Sequence, residues 1–481
     1  MELAFATAVS LATEIRKKNI SSRELTDLYI GRIEAHDGEI NAVVVRDFEG
    51  ARRAADAADA ALARGEVLGP LHGLPMTIKE AYDIQGLPTT WGIPAFAKNI
   101  AATDAESVRR FKAAGAHFLG KTNVPIQLAD FQSYNEIYGT TRNPWDLERI
   151  PGGSSGGSAA ALAAGLTALE AGSDIGGSIR NPAHFCGVYG HKPTWNIVPQ
   201  RGHALPGMLA SPDIAVVGPL ARSAEDLALA LDLVSGPEDL VEAGWKLDLP
   251  APRQRTLADF RVALWADDEL APVSAEISAR VQALGDRLAS LGATVSDRAR
   301  PAFDPSHSHD VYQSMLQGAM SAWIPDAEFS GLQGHVAAMD PEDPSANAQI
   351  MRAMVQPHRD WLRQNNQRAG LRMAWKDFYQ DWDILLCPQS PTVAFPHDHA
   401  PQGARTLDVD GVAQPYFQQV FWAGLVTVSY LPSTVFPTGL SNAGLPIGLQ
   451  AVGGEYQDRM CIEFARLMSE EFGGFVAPAA Y

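Results

Sequence analysis

The sequence contains little cysteine, which limits the kinds of fold and site that it can form. Three cysteines, Cys186, Cys387 and Cys461, are spread over 481 residues. One pair could form a disulfide. The three residues provide neither the disulfide framework of a small secreted domain nor the closely spaced ligands of a zinc site. We therefore expect free, buried thiols that pack as small hydrophobic side chains.

Positive charge is scarce as well. The chain has 38 lysines and arginines against 56 aspartates and glutamates, which gives a net charge of −18 at pH 7. A surface that follows the phosphates of nucleic acid needs a basic excess, so this composition disfavours nucleic acid as a partner. It is typical of a soluble, self-repelling protein, and it leaves room for a local basic pocket.

The sequence has no apolar run long enough to cross a membrane. Its first residues, MELAFATAVSLATEIRKKN, carry Lys17 and Lys18 after the apolar stretch, whereas a signal peptide carries its positive charges before it. We interpret this stretch as an amphipathic first helix. The prediction is a cytoplasmic protein that does not associate with membranes.

What the sequence does contain is the alternation of strands and helices typical of an α/β protein. Residues 41–45 (NAVVV) and the apolar stretch that ends at Lys79 predict strands, and the Ala-rich run up to Arg64 predicts a helix. Residues 236–256, rich in proline and charge, predict a connection between two halves. Residues 307–382, rich in Met and Trp, predict a mostly helical segment. The pattern favours a sheet covered by helices on both faces.

Two glycine- and serine-rich stretches lie close together, RIPGGSSGGSAAALAAG (149–165) and GSDIGGSIRNPA (172–183). Glycine loses much conformational freedom on folding, so such stretches indicate backbone that closely approaches a ligand or another segment. No lysine follows the glycines as in a P-loop, and no G-x-G-x-x-G opens a helix, so a phosphate site is disfavoured. Residues 152–156 match the nucleophile elbow G-x-S-x-G, but the preceding NPWDLERIP predicts a loop rather than the required strand.

A lysine offers another way to activate a serine. The chain has nine lysines, and Lys79 is unusual among them because it ends an apolar stretch, LPMTIK, that predicts a buried strand. Burial lowers the pKa of a lysine, and a neutral lysine can act as a base. From these residues alone, a lysine at a strand end that reaches solvent remains the alternative.

The same stretches resemble the signature region of the amidase signature family. PGGSSGGSAAALAAGL and GSDIGGSIRNPAHFCGVYGHKPT are similar to that region, and LGPLHGLPMTIKEAYDIQG is similar to the family's lysine-bearing strand. Three later blocks also match: VVGPLARSAEDLALALDLV, DILLCPQSPT and GLPIGLQAVG. The resemblance implies a single domain over residues 1–481, with a signature core at about 70–235 and a mostly helical variable cap at about 305–382. It also implies an α/β fold with a large twisted mixed β-sheet flanked by helices.

The resemblance further implies a Ser–cis-Ser–Lys hydrolase. Ser178 would be the nucleophile, Ser154, preceded by a cis peptide bond, the bridge, and Lys79 the base. The chemistry is reasonable because a serine hydroxyl can accept one proton while it donates another. Ser154 would take the proton of Ser178 while it gives its own to neutral Lys79, and it would later protonate the departing amine. No metal and no cofactor is expected.

Further residues are expected around this relay. The amides of Ile175, Gly176, Gly177 and Ser178 are predicted to form an oxyanion hole. Ser155, Asp174 and Arg180 are predicted to support the loops, although Asp174 and Arg180 could equally form an ordinary surface ion pair. His184 and His191 are interpreted as packed or hydrogen-bonding histidines rather than members of a catalytic triad. The predicted substrate-binding residues are Phe131, Gln132, Tyr134, Leu205, Pro206 and Met208, whose largely apolar character favours a neutral substrate.

The predicted function is therefore hydrolysis of the C–N bond of small amides, extending to aryl esters and carbamates. The chain looks most similar to the branch with cyclic-amide (nylon-oligomer) hydrolases, aryl-acylamidases and urethanases. One alternative is the glutamine-hydrolysing subunit of a tRNA-dependent amidotransferase, but those subunits usually carry ASSLDQ where this chain has LASPDIAV (209–216). A second alternative is a catalytically inactive binding protein on the same fold. The sequence leaves open whether the protein is a homodimer.

Overall fold

The computed structural model of the protein describes residues 2–343 and 345–481. Its α-helices are α1 (Ala8–Arg16), α2 (Ser22–Ile40), α3 (Phe48–Ala63), α4 (Glu106–Ala113), α5 (Gly156–Ala163), α6 (Arg180–Cys186), α7 (Ala224–Val234), α8 (Ala275–Ser290), α9 (Pro305–Ser321), α10 (Asp326–Ala338), α11 (Ala346–Met354), α12 (His358–Asp381), α13 (Val420–Thr427) and α14 (Asp458–Phe472). Its strands are β1 (Val43–Arg46), β2 (Pro75–Lys79), β3 (His117–Thr122), β4 (Tyr134–Asn135), β5 (Gly139–Thr140), β6 (Glu170–Asp174), β7 (Tyr189–Lys192), β8 (Val216–Ala221), β9 (Arg261–Leu264), β10 (Thr294–Ser296), β11 (Ile384–Pro388), β12 (Thr406–Val409), β13 (Val412–Pro415), β14 (Ser433–Leu440) and β15 (Pro446–Val452).

Eight strands form one mixed sheet in the order β10-β9-β11-β15-β14-β7-β8-β6. Strand β9 pairs in parallel with β10 and β11, and the other neighbours pair antiparallel. Strands β6, β8, β11 and β15 are buried along their whole length, as expected for strands covered on both faces. The predicted large mixed sheet flanked by helices is confirmed.

The strand that carries Lys79 lies in a second, three-stranded sheet with the order β1-β3-β2. Strand β2 is parallel to β3 and fully buried. It lies beside β6 of the large sheet, because the Thr77 amide donates to Thr167 Oγ1 (2.8 Å) and the Tyr82 hydroxyl donates to the Gly172 carbonyl (2.7 Å). The ends of β2 and β6 therefore meet, and with them the residues of the candidate site.

The predicted helical segment contains α9 to α12, and α9 packs against α11, α12 and α13. Val311, Tyr312 and Met315 of α9 join Leu371 and Val420 in an apolar cluster separate from the main core. The cluster is therefore shared between the helical segment and other parts of the chain, among them Phe131, Ile214 and Tyr430. Helix α13, which follows the hairpin β12–β13, contributes Val420 to it.

Two smaller expectations are also met. The predicted connection, residues 236–256, contains neither helix nor strand. The three cysteines are free and buried. Across residues 2–343 and 345–481, none of the helices combines the length and the apolar composition of a membrane span.

Candidate active site

Lys79 lies at the buried end of β2 and is surrounded by serine hydroxyls. Its Nζ atom is 2.7 Å from Ser154 Oγ, 3.0 Å from Ser155 Oγ and 2.9 Å from Ser173 Oγ. The lysine is 0% exposed, so the alternative of a side chain that reaches solvent is wrong. A neutral amine has two protons and one lone pair, so these three contacts allow Nζ to donate twice and to accept the proton of one hydroxyl.

The surroundings of Lys79 keep both its charged and its neutral form accessible near neutral pH. Burial lowers the pKa of Lys79 to about 7, although the charges of Asp174 and Glu170 oppose this shift. Glu170 is itself fully buried, and burial raises its pKa to about 8 despite hydrogen bonds from Thr77 and other hydroxyls. At neutral pH the amine therefore exchanges readily between its charged and neutral forms, which a base must do.

The serines that contact Lys79 come from two segments. Ser173 lies in β6, whereas Ser154 and Ser155 form the turn before α5, and the Gly153–Ser154 peptide bond is cis, as expected. A side chain at Gly153 would overlap the Asp130 carbonyl oxygen, so this segment passes too close to its neighbour for any residue except glycine. The glycines here therefore serve close packing that fixes Ser154.

Asp174 and Arg180 form a buried ion pair rather than a surface one. Arg180 Nη2 lies 2.9 Å from Asp174 Oδ1, and both side chains are 0% exposed. Burial alone would raise the pKa of the Asp174 carboxyl, but the charge and hydrogen bonds of Arg180 lower it to about 2. The carboxylate also accepts the amides of Gly177 (2.8 Å) and Ile179 (3.1 Å). The pair thus shapes the turn that leads to Ser178.

This turn, residues 174–178, exposes fewer amides than the sequence predicts. The Gly177 amide is already donated to Asp174, so it is not directed at a ligand. Gly177 has a φ of 107°, and a Cβ there would lie 2.8 Å from Gln389 Nε2, so the position requires glycine. The amides of Ile175, Gly176 and Ser178 donate no hydrogen bond to any residue that the structure describes. They remain as candidates for an oxyanion hole.

Ser178 is the last residue of this turn and is 6% exposed. Its carbonyl accepts the Ser155 amide at 3.1 Å, which joins the segment of the predicted nucleophile to the serines that contact Lys79. Its hydroxyl makes no hydrogen bond within the described part of the chain. Catalytic hydrogen bonds are often loose before substrate binds, so the contact between Ser178 and Ser154 stays a prediction.

Ser154, Ser173, Asp174, Ile175 and Ser178 together form what we call the catalytic floor of a cleft of about 460 Å³. The rest of the cleft is mainly apolar. Its inner side is lined by Trp91, Ile93, Ala95, Phe96, Leu128, Leu205, Pro206 and Met208. The turn between α9 and α10 contributes what we call the outer wall, formed by Met320, Trp323, Ile324, Pro325 and Glu328.

Three predicted substrate contacts do not line this cleft, whereas Leu205, Pro206 and Met208 do. Phe131 is buried in the apolar cluster of α9. The Gln132 side chain donates to the Asp398 carbonyl at 2.8 Å and accepts the Asp398 amide at 2.9 Å. Tyr134 stacks on His399 and accepts a hydrogen bond from Arg405 at 2.6 Å. The polar and aromatic groups of this segment therefore bind other parts of the protein, which sequence patterns could not reveal.

The two histidines of the signature stretch are structural, as expected. His184 accepts the Gly448 amide at 2.8 Å and contacts the Thr392 carbonyl at 2.9 Å. His191 lies 2.8 Å from Thr434 Oγ1 and 3.1 Å from Asp458 Oδ1. Neither lines the cleft. Among the described residues, no three His, Cys, Asp or Glu side chains are grouped so that they could hold a metal ion.

Several residues of the site are not predicted from the sequence. Ser173 is the third partner of Lys79, and a serine inside a buried strand was the available signal. His203 lines the cleft in contact with Tyr82 and Trp91, and burial together with the charge of Lys79 lowers its pKa to about 3. The Met- and Trp-rich segment is expected to form a helical cap, but no motif marks which of its residues line the cleft.

Most of the chain matches a known protein family. A family model described as amidase matches residues 24–462. The chain is 33% identical to a glutamyl-tRNA(Gln) amidotransferase subunit of Moorella thermoacetica, over 97% of this chain and 96% of that protein. It is also 33% identical to an indoleacetamide hydrolase of Bradyrhizobium diazoefficiens, over 97% of this chain and 86% of that protein.

Solved structures with the same fold extend the comparison. 6-Aminohexanoate cyclic dimer hydrolase complexed with substrate is 27% identical, with a TM-score of 0.80 over 100% of this chain and 99% of that chain. A bacterial aryl acylamidase superposes with a TM-score of 0.81 over 98% of this chain and 96% of that chain. At 24% identity, the second likeness concerns the fold alone.

Proposed function

Because this chain belongs to the amidase family, whose model spans residues 24–462, we propose that it is a serine hydrolase that forms an acyl-enzyme on Ser178. The observation that carries the proposal is the buried contact of Lys79 Nζ with Ser154 Oγ, at 2.7 Å, beside the cleft that Ser178 lines. A base, a hydroxyl that can relay a proton and an accessible serine are the parts that such a reaction needs.

In the proposed first step, Ser178 Oγ attacks the carbonyl carbon of the substrate. Its proton passes to Ser154, and the proton of Ser154 passes to neutral Lys79. The amides of Ile175, Gly176 and Ser178 stabilise the negative oxygen that develops. When the C–N bond breaks, the relay reverses and Ser154 protonates the departing nitrogen, since an amide anion is a poor leaving group.

In the second step, water takes the place of the amine. The relay removes a proton from the water as it attacks the acyl-enzyme, and the proton returns to Ser178 Oγ as the carboxylic acid leaves. The fully buried Asp174–Arg180 pair keeps the turn before Ser178 in place throughout. Apart from the substrate and water, every group in these two steps belongs to the chain.

The cleft supports a small neutral substrate. Among the described residues, no lysine or arginine lines it, and its two carboxylates are Asp174, paired with Arg180, and Glu328 at the outer wall. A substrate with a free carboxylate would lose its hydration there without gaining a cation. Neutral aryl amides fit this lining, and aryl esters and carbamates present the same carbonyl to Ser178.

The likeness to a glutamyl-tRNA(Gln) amidotransferase subunit favours a second candidate, glutamine hydrolysis in a complex. A test of both compares kcat/KM for a 4-nitroanilide, an aryl carbamate, a cyclic amide, an aliphatic amide and glutamine, with no partner protein added. We expect the neutral aryl substrates to be cleaved fastest. Glutamine as the best substrate would favour the amidotransferase function, and no turnover of any of them would favour an inactive binding protein.

The nucleophile is tested in the same samples. A fluorophosphonate should label Ser178, and Ser178→Ala should abolish both labelling and turnover without changing the melting temperature. Ser154 and Ser155 are the built-in controls, because both lie beside Lys79. A label on either of them would assign the nucleophile to that residue instead.

A further inference from the structure

The turn before Ser178 is held by a residue from outside the signature core. Tyr312 of α9 donates its hydroxyl proton to the Ile175 carbonyl at 3.1 Å. The tyrosine is 0% exposed and belongs to the apolar cluster of α9. The phenol also lies close to the next residue, because a Cβ added at Gly176 would be 3.1 Å from its oxygen.

This hydrogen bond acts on the peptide plane that joins Ile175, which lines the cleft, to Gly176. The Ile175 carbonyl and the Gly176 N–H belong to the same peptide plane, which is trans. In a trans peptide the two groups point in opposite directions. Fixing the carbonyl on Tyr312 therefore fixes the direction of the Gly176 N–H, which has no acceptor of its own among the described residues.

The peptide plane between Gly177 and Ser178 is fixed in a different way. The Gly177 carbonyl accepts the Asn181 amide at 2.6 Å, and this orients the Ser178 N–H within the turn itself. Of the three candidate oxyanion donors, the Ser178 amide is thus positioned by the signature stretch itself. The Gly176 amide depends on a side chain supplied by the helical segment.

We propose that Tyr312 is a positioning residue for the oxyanion hole, acting through the Gly176 amide. The inference rests on the proposed function, because it needs an acyl-transfer step at Ser178. The helix that carries Tyr312 also supplies Met320 to the outer wall. The helical segment therefore contributes to the chemical step as well as to the shape of the cleft.

Tyr312→Phe tests the proposal, because it keeps the ring in its apolar cluster and removes only the donor. Loss of a whole oxyanion donor reduces kcat by about 10²–10³-fold. A donor that is misdirected should cost less, so we expect kcat to fall about tenfold to hundredfold with KM changed by less than about twofold. The matched control is Tyr379→Phe, which removes a phenol–carbonyl bond of 3.0 Å to Val452 outside the cleft.

A second readout separates positioning from a general loss of structure. A trifluoromethyl ketone forms a tetrahedral adduct with a serine and places an anionic oxygen in the oxyanion hole. Its inhibition should weaken in Tyr312→Phe by the same factor as kcat. Binding of an intact anilide, measured in the Ser178→Ala background, should not change, since the ground state makes little demand on this amide.

Gly424→Ala offers an independent test that leaves the hydroxyl in place. A Cβ at Gly424 would overlap the Tyr312 ring, whereas one at Gly370, on α12, meets nothing within 4 Å. We expect Gly424→Ala to lower kcat as Tyr312→Phe does and Gly370→Ala to leave it unchanged. If Tyr312→Phe keeps the wild-type kcat and the wild-type affinity for the inhibitor, the inference is wrong while the proposed function still stands. Turnover that survives Ser178→Ala would overturn the proposed function and the inference together.

Discussion

The catalytic floor and the outer wall of the cleft are built on different physical principles. Apart from Ile175, the floor consists of polar groups that are almost fully buried, with Ser154 at 1%, Ser178 at 6% and Lys79 beneath them at 0% exposure. Each has its backbone or side chain held by neighbouring groups. Apart from Glu328, the outer wall is apolar, and it is open, with Trp323 51% exposed. In the proposed mechanism, the chemical step would depend on a buried network of hydrogen bonds, whereas selectivity would depend on an exposed surface that the substrate covers.

This difference predicts which kinetic quantity a substitution in each region should change. A buried polar network loses much when one member is removed, because the remaining groups are left without partners. An exposed apolar residue loses only the contact area that it offers to substrate. We therefore expect floor variants to change kcat for every substrate, and wall variants to change the ranking of substrates.

The largest effect is expected at Lys79. Lys79→Met should lower kcat/KM by about 10³-fold or more, because the relay then has no final proton acceptor. Lys79→Arg should be equally impaired, since a guanidinium stays charged and cannot act as a base. Assays on one anilide, with melting temperatures for both variants, check this expectation. Substantial activity in Lys79→Arg would mean that the floor needs a positive charge rather than a base.

The pH dependence of the floor follows from the same residue. Burial lowers the pKa of Lys79 to about 7, so the neutral base is present above this pH and is lost as pH falls. We expect kcat/KM to reach a plateau above about pH 8 and to fall about tenfold per unit below about pH 6.

Lys192 provides the control for this profile. It is also buried with its pKa lowered to about 7, but it donates to the Pro193 and Leu431 carbonyls away from the serines. Lys192→Met should retain the inflection near pH 7. A profile that is flat in the wild type between pH 5.5 and 8.5, or an inflection that disappears with Lys192, would contradict the role of Lys79.

A smaller effect is expected at the outer wall. Trp323→Ala should raise KM for a bulky anilide by about 3- to 10-fold, which corresponds to the loss of a partly buried aromatic contact. A small aliphatic amide should be cleaved at the wild-type rate. Leu362→Ala is the control, because Leu362 is similarly exposed but does not line the cleft. An equal fall in kcat for both substrates would mean that Trp323 supports the catalytic floor rather than substrate selectivity.

The smallest effect on activity is expected at Tyr134, which the sequence placed in the substrate pocket. Tyr134→Phe removes the acceptor of the Arg405 hydrogen bond and should lower the free energy of unfolding by about 0.5–1.5 kcal/mol. Its kcat/KM should stay within about twofold for every substrate. Tyr456→Phe, at an exposed tyrosine, is the control for denaturant unfolding. A change in the ranking of substrates would mean that Tyr134 does contribute to substrate binding.

Some elements could be predicted closely and others not, for physical reasons. Strand β2 ends at Lys79, where the apolar stretch LPMTIK predicts the end of a buried strand. Strand β14 carries Pro437 and was not predicted, because proline rarely occurs inside a sheet. It is tolerated here because β7 pairs only with Ser433 to Val435, so Pro437 needs no ladder bond on that side.

By itself, the sequence determined the α/β class, the amidase family and the segments that carry Lys79, Ser154 and Ser178. These follow from local patterns and motifs, which are properties of neighbouring residues along the chain. Only the tertiary structure decided that Ser173 also contacts Lys79, that the Gly177 amide is already used, and that Tyr312 reaches the Ile175 carbonyl across 137 positions of sequence. Such contacts depend on how separate elements pack. Packing brings together residues that are far apart along the chain, and no local sequence pattern indicates that they will meet.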